Sequence, residues 1–264
     1  MRYVGYKIAN QLNLMVRGNL LGNNWCNFKG NCEGTTVAIE LFSGELIGKT
    51  LEIFRLEEPC QMLRYENASI YLVDGWKRAY IIPDLMKVYE ANDFLLSKVF
   101  CYHAVRRQMI QLHCATIDDD GRGILFLGPS GIGKTTQAER WAQYRGSAII
   151  NGDIGFVQRT PAGYTAWGTP WHGSSPYCLN ASVPVKALVV LKQAPQNALR
   201  ELTGFEKVRE VSGSVFYPTW LEDGMELCTD TLNHLLSDLP VYRLDNRADE
   251  EAVRLLAAEI DRIS

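Results

Sequence analysis

One stretch constrains this chain more than any other: ILFLGPSGIGKTT, from Ile124 to Thr136. An apolar run feeds a turn containing three glycines, and Lys-Thr-Thr then opens a helical pattern. Gly128 to Thr135 fits G-x-x-x-x-G-K-[ST] at every fixed position. Glycine tolerates positive φ, so such a turn can aim backbone N–H groups inward as an anion nest. A helix starting near Gly133 would point its partial positive end at the same spot. The chemistry these residue types suit is phosphate binding. Gly128, Ser130, Gly131, Ile132, Gly133, Lys134, Thr135 and Thr136 form the expected cradle. Lys134 is expected to reach the β- and γ-phosphates of a nucleotide. The Thr135 hydroxyl is expected to ligate Mg²⁺, a hard cation that takes oxygen ligands. A plain glycine-rich turn does not explain Lys-Thr at that place.

Metal-assisted phosphoryl transfer needs an acid near the metal or the attacking hydroxyl. The first candidate is Asp153, at the end of SAIINGD, one helix and one strand beyond Lys134. In a parallel sheet this carboxylate would stand at the C-terminal strand edge beside the loop. It reads as base, metal ligand or both, against the plainer reading of a turn Asp before Gly155. His113, in the short apolar strand LHCATI, reads either as a phosphate or acceptor contact or as a hydrogen-bonded core histidine. His172 lies in GTPWHGSSPY, a Gly/Pro/Ser-rich loop of the kind that lines substrate clefts, and reads either as an acceptor or nucleotide contact or as a structural histidine capped by Ser174 or Ser175. Trp167, Trp171 and Tyr177 offer either adenine stacking or packing. Arg140, Arg145 and Arg159 are weak arginine-finger candidates, Arg140 and Arg145 reading first as helix-end charges. Asp118 to Asp120 read as a solvated turn. The chain carries no NKxD guanine-reading motif and no LSGGQ signature.

Around this centre the chain divides. Residues 1–90 are expected to form a β-rich domain, with strands at Thr35–Phe42, Leu51–Leu56 and Ala68–Pro83 and a hairpin turn at Asp74-Gly75. Residues 91–264 are expected to form the phosphate-binding domain, the boundary falling near a helix read over 84–110. Beyond it the pattern alternates. Strands are expected at SAIIN, FVQRT, YTAWG, ALVVLK and VYRL, and helices at about Leu221–Ser237 and Asp249–Ile263. That alternation predicts an α/β core. A net charge of −3 and the lack of any Lys/Arg run argue against a nucleic-acid partner. No run of eighteen apolar residues predicts a membrane span, the N-terminal residues lack a signal-peptide core, and the seven scattered cysteines fit a reduced, cytoplasmic setting.

At LHCATI and GRGILFLGPSGIGKTTQAERWAQYRGSAIINGDIGFV the chain resembles the bacterial HPr kinase/phosphorylase family. It is most similar to the shorter HPr-kinase-like proteins of peptide-modification clusters, including lasso-peptide kinases. The matching positions are His113, the Gly128–Thr135 loop, Arg145-Gly146 and Asp153, within a well-matched stretch from Leu112 to Val157. The resemblance implies a PEP carboxykinase-like P-loop core, ATP and Mg²⁺, and a seryl acceptor on a peptide or protein. It implies Asp153, Lys134 and His113 as the catalytic set, Thr135 and Asp153 as metal ligands, and a homo-oligomer. Asp153 would act as base toward the acceptor hydroxyl. The chain departs from the family at Gly152-Asp153, where members show two adjacent acids, so one carboxylate would serve both roles. It also lacks a counterpart of the signature for phosphorolysis. Two other readings stand beside this one: a small-molecule kinase acting on free serine or a sugar, and a nucleotide-binding module without transfer.

Overall fold

The computed structural model describes residues 3–10, 12–17, 21–32, 36–41, 60–83 and 86–263. The expected strand at Leu51–Leu56 lies outside the described residues, as do Thr35 and Phe42. The chain forms two compact units, Met1–His103 and Ala104–Ser264. Both hold a mixed sheet, and the protein as a whole is mixed α/β.

The first unit is built on a six-stranded sheet. Its strands are β1 (Tyr3–Ile8), β2 (Leu12–Arg17), β3 (Thr36–Leu41), β4 (Gln61–Tyr65), β5 (Ala68–Val73) and β6 (Arg78–Ile82), in the order β1-β2-β3-β6-β5-β4. β1 and β2 were not anticipated, although Tyr6, Ile8, Leu12, Leu14 and Val16 alternate inward as strand residues do. β5 and β6 form the expected hairpin, but with a four-residue turn, since Val73 pairs with Arg78. Asp74, Gly75 and Trp76 are all left-handed there. Trp76 holds the turn down: it is buried, stacks on Tyr102 at 4.2 Å, and donates to Gln61 Oε1 at 2.6 Å. Helix α1 (Val88–Val105) follows, burying Leu95, Leu96, Val99 and Phe100. It ends sooner than the periodicity of 84–110 predicts. The amides of Arg107 and Gln108 turn back onto Ala104 and Val105, and Gln108 takes φ +53°. Ile110 therefore belongs to the next strand.

The second unit begins with β7 (Met109–Asp118) and β8 (Gly123–Leu127), then α2 (Lys134–Arg145), β9 (Ala148–Asn151), β10 (Ile154–Thr160), β11 (Gly163–Trp167) and β12 (Ser182–Gln193). It ends with β13 (Ala198–Leu202), α3 (Phe205–Val211), α4 (Gly224–Asp238), β14 (Val241–Asn246) and α5 (Glu250–Arg262). The sheet order is β11-β10-β7-β8-β12-β14-β13, with β9 on β7 and a further β11–β12 pairing. The sheet is not the parallel one expected around Asp153. Only β8–β12 and β12–β14 pair in parallel. β7 runs antiparallel to β8, β9 and β10, because the tight turn after β7 returns the chain directly into β8.

Both faces of this sheet are covered. Leu112, Leu125, Leu127, Leu188 and Val190 pack beneath α4 residues Leu232 and Leu235. Ile117, Ile124, Phe126, Val189 and Leu244 pack with Trp141 of α2 and Leu256 of α5. All five residues of β8 are buried, as a strand covered on two faces requires. Each such side chain contributes about 1.5–3 kcal/mol. β8 is thus a rigid base for the loop that leaves its C-terminal end. Among the described residues no helix is long and apolar enough to cross a membrane.

Candidate active site

The loop leaving β8 turns on three glycines with positive φ: Gly128 at +141°, Gly131 at +78° and Gly133 at +107°. At Gly128 a side chain would also meet Ile132 Cγ2 at 3.1 Å, whereas nothing lies within 4 Å of a Cβ at Gly131 or Gly133. The loop is closed on itself by Ile132 N–H donating to Pro129 O at 3.2 Å. Gly133 caps α2 in a left-handed conformation with no side-chain cap, and Lys134 is the first helical residue. Ser130, Gly131 and Thr136 are exposed, while Ile132, Gly133 and Thr135 are half-buried. An open turn with an uncapped helix start suits an anion.

Lys134 is 5% exposed and folds back onto the loop. Its Nζ donates to Gly128 O at 3.1 Å and Pro129 O at 3.3 Å. Burial lowers its pKa from the ordinary lysine value, and the nearby Asp153 charge opposes that shift. The third partner is His113 Nε2, 2.9 Å from Nζ. Strand parity explains the meeting. Residues 115 and 117 of β7 pack on the α2 side of the sheet, so His113, two residues earlier, faces the start of α2. His113 Nε2 also lies 2.9 Å from Asp153 Oδ1. One ring nitrogen cannot accept from Lys134 and donate to Asp153 at once. The two contacts are alternatives. Burial pushes the thiol of the neighbouring Cys114 up to about 12, which favours the neutral thiol.

Asp153 reaches this point through a break in pairing along β7. Asn151 pairs with Thr116 and Ile154 pairs with His113, so Gly152-Asp153 bulges between β9 and β10. Asp153 O accepts from Cys114 N–H at 3.0 Å, which pins the bulge to β7. Neighbours crowd the bulge. A Cβ on Gly152 would stand 1.8 Å from Ser175 Oγ, and one on Gly173 would stand 1.9 Å from Asp153 Oδ2. The loop carrying His172 therefore lies directly against the acid. His172 is half-buried and its Nδ1 contacts Ser175 O, which accepts. Thr135 Oγ1 donates to Gly152 O at 3.0 Å, joining the helix start to the same bulge.

The structure thus brings together Lys134, Thr135, His113 and Asp153, with the His172 loop alongside. Asn151 was not anticipated, nor was the close packing of Gly152, Gly173 and Ser175 around the acid, although the expected His172 loop contains Gly173 and Ser175. The only sequence signal at Asn151 is Asn-Gly-Asp, a turn-forming triplet without a chemical signature. Phe216 was missed too: its ring lies 6.0 Å from that of His113 and is exposed. Other candidates are engaged elsewhere. Arg140 donates to Ala248 O, and Arg145 is bound to Asp119. Asp119 is not solvated as expected but 3% exposed, accepting from Arg122, Arg145 and Ser147. Trp171 is buried, and Tyr177 donates to Glu139. Among the described residues no group of three His, Cys, Asp or Glu could hold a metal ion alone. Thr135 and Asp153 supply oxygen donors, which fits Mg²⁺ completed by phosphate oxygens and water.

An open phosphate-type loop on a mixed α/β sheet, facing a histidine–carboxylate pair, is the class this unit defines. A family model described as SynChlorMet cassette protein ScmC matches residues 84–244, and the chain belongs to that family. No curated protein matches the chain. Among solved structures, the HPr(Ser) kinase/phosphatase from Coxiella burnetii is similar at 12% identity over 58% of this chain and 93% of that one, with a TM-score of 0.33. At that score the likeness does not define the fold of this chain.

Proposed function

We propose that the second unit is an ATP-dependent kinase that transfers the γ-phosphoryl group of Mg-ATP to a hydroxyl, specifically a serine of a peptide or protein. One observation carries the reading: Lys134 Nζ, His113 Nε2 and Asp153 Oδ1 meet in successive 2.9 Å steps at the mouth of a P-loop. The mixed sheet supports a PEP carboxykinase-like core, with the loop strand β8 between antiparallel β7 and parallel β12. Membership of a family named for a cassette supports a partner encoded nearby.

Lys134 exchanges the Gly128 and Pro129 carbonyls for β- and γ-phosphate oxygens, held by the loop amides. Thr135 Oγ1 and Asp153 would hold Mg²⁺, which would supply charge neutralisation for the phosphates. With Lys134 turned to phosphate, His113 Nε2–H is left to donate to Asp153, fixing its carboxylate. The acceptor oxygen forms a bond to γ-phosphorus, the bond from γ-phosphorus to the bridging oxygen breaks, and ADP leaves. Asp153 takes the acceptor proton. The His172 loop, lying on Asp153, forms the acceptor side.

Intact-mass spectrometry tests this reading. The chain is incubated with Mg-ATP and a panel of serine-containing peptides, free serine and sugars, with Lys134→Ala as control. The reading expects one phosphoryl group gained on a peptide serine, absent in the control. Tight ATP binding with no gain on peptide, serine or sugar leaves a binding module and defeats it.

A further inference from the structure

Asn151 is wholly buried and its side-chain amide is fully engaged. Its Oδ1 accepts from the amides of Asp153 at 3.0 Å and Ile154 at 2.9 Å. Its Nδ2 donates to Trp171 O at 2.8 Å and Thr169 O at 3.4 Å. One half of the amide clamps the bulge that bears the acid. The other half clamps the loop that carries His172. The adjacent residues repeat the link: Gly152 N–H donates to Tyr177 O at 3.3 Å, and Gly152 and Gly173 are packed against Ser175 and Asp153 with no room for a Cβ. A side chain that accepts and donates simultaneously, at a fixed length, is an amide. A buried carboxylate would face two carbonyl oxygens, and a hydroxyl could not span both partners.

We propose that Asn151 is a positioning residue. It holds the acid-bearing bulge and the acceptor-side loop as one rigid piece, so that the Asp153 carboxylate and the His172 loop keep a fixed spacing before the P-loop. The consequence for Asp153 rests on the phosphotransfer reading above. The clamp itself does not. Asn151 touches neither nucleotide nor acceptor and acts only through Asp153 and the loop. Misplacing a catalytic group by about 1 Å can cost about a hundredfold in rate.

The test uses the full chain, Mg-ATP as probe, and two variants. Asn151→Ala removes both clamps. Asn151→Asp keeps the acceptor for the Asp153 and Ile154 amides and loses both donors. Two readouts are taken: ADP formed from Mg-ATP with serine-containing peptides as acceptor, as kcat and KM, and backbone hydrogen exchange. In Asn151→Ala, kcat is expected to fall about tenfold or more with KM for Mg-ATP within about threefold. Exchange is expected to quicken at 151–155 and 168–173 and to stay slow elsewhere in the sheet. In Asn151→Asp, exchange is expected to quicken at 168–173 only, with a smaller kcat loss. A merely structural role predicts faster exchange throughout the unit and a kcat restored by correcting for the folded fraction. That result overturns the proposal, as does unchanged exchange in both segments. If Asn151→Ala does not fold, Asn151→Asp carries the same decision. If the wild-type chain forms no ADP with any hydroxyl acceptor, the phosphotransfer reading fails while the exchange pattern still decides the clamp.

Discussion

The P-loop and the carboxylate bulge meet at one point but are held by opposite means. The loop holds itself. Its glycines supply the positive φ angles, one backbone hydrogen bond and two from Lys134 Nζ close it, and space is open around Gly131 and Gly133. The bulge is held by neighbours. Asp153 is placed by the Asn151 side chain, by Cys114 on β7, and by close packing of Gly152 and Gly173 against other residues. A self-held turn can open to a ligand without disturbing the sheet. A neighbour-held carboxylate keeps its place whether or not the ligand is there. Under the proposed function, binding and transfer would therefore rest on separable supports.

That separation gives the largest expected effect. Asp153→Asn should lower phosphoryl transfer by about a thousandfold with a far smaller loss of Mg-ATP affinity, since the amide oxygen remains a donor and the loop keeps its phosphate contacts. Lys134→Ala should remove affinity and transfer together. Calorimetric titration beside a turnover assay reads both, and equal loss of affinity in the two variants would break the comparison.

The glycines sharpen it. Gly152→Ala meets Ser175 Oγ at 1.8 Å and should cost about 3 kcal/mol in chemical denaturation. Adding Ser175→Gly should recover most of that loss, a coupling that a strain-only account does not give. Gly131→Ala has no clash but sits at φ +78°, so its cost is backbone strain alone, about 1 kcal/mol. No second-site change should relieve it.

Between these two in size lies a control at the far end of α2. Burial acts to raise the Asp119 pKa. Hydrogen bonds from Arg145 and Ser147, and the charges of Arg145 and Arg122, outweigh it and hold the carboxyl below the ordinary aspartate value. A depressed folded pKa means the stabilisation is present above the unfolded value near 3.9 and is lost as pH falls through the folded one. Asp119→Asn should cost about 2 kcal/mol at pH 7, since Arg122 and Arg145 keep some solvent. The gap from wild type should narrow steadily below about pH 4. Transfer per folded molecule should be unchanged at pH 7, because this cluster supports α2 and not the site.

The same contrast sets how much could be read from residues alone. The loop was legible because each glycine, Lys134 and Thr135 is required by local geometry at fixed spacing. The strands at 154–160 and 163–167, and the order of helix, strand and helix after residue 224, followed from periodicity in the same way. β13 and α3 did not, because ALREL is largely exposed and α3 spans only seven residues. The parallel sheet assumed around Asp153 was wrong in direction, since strand direction depends on the turn after β7. Asp119 reads as one of three acids in a polar turn, and only the fold brings Arg145 and Ser147 to it. Asn151 had no signal beyond the turn-forming Asn-Gly-Asp. Its four partners lie at two places along the chain, and nothing in Asn-Gly-Asp reveals the second.

The most direct test of the account is single-turnover transfer from saturating Mg-ATP in wild type and Asp153→Asn, each with its nucleotide occupancy measured in the same sample. The account expects full occupancy in both and transfer in wild type only. Full transfer from the occupied Asp153→Asn protein, or an occupied wild-type protein that transfers to no hydroxyl, would contradict it.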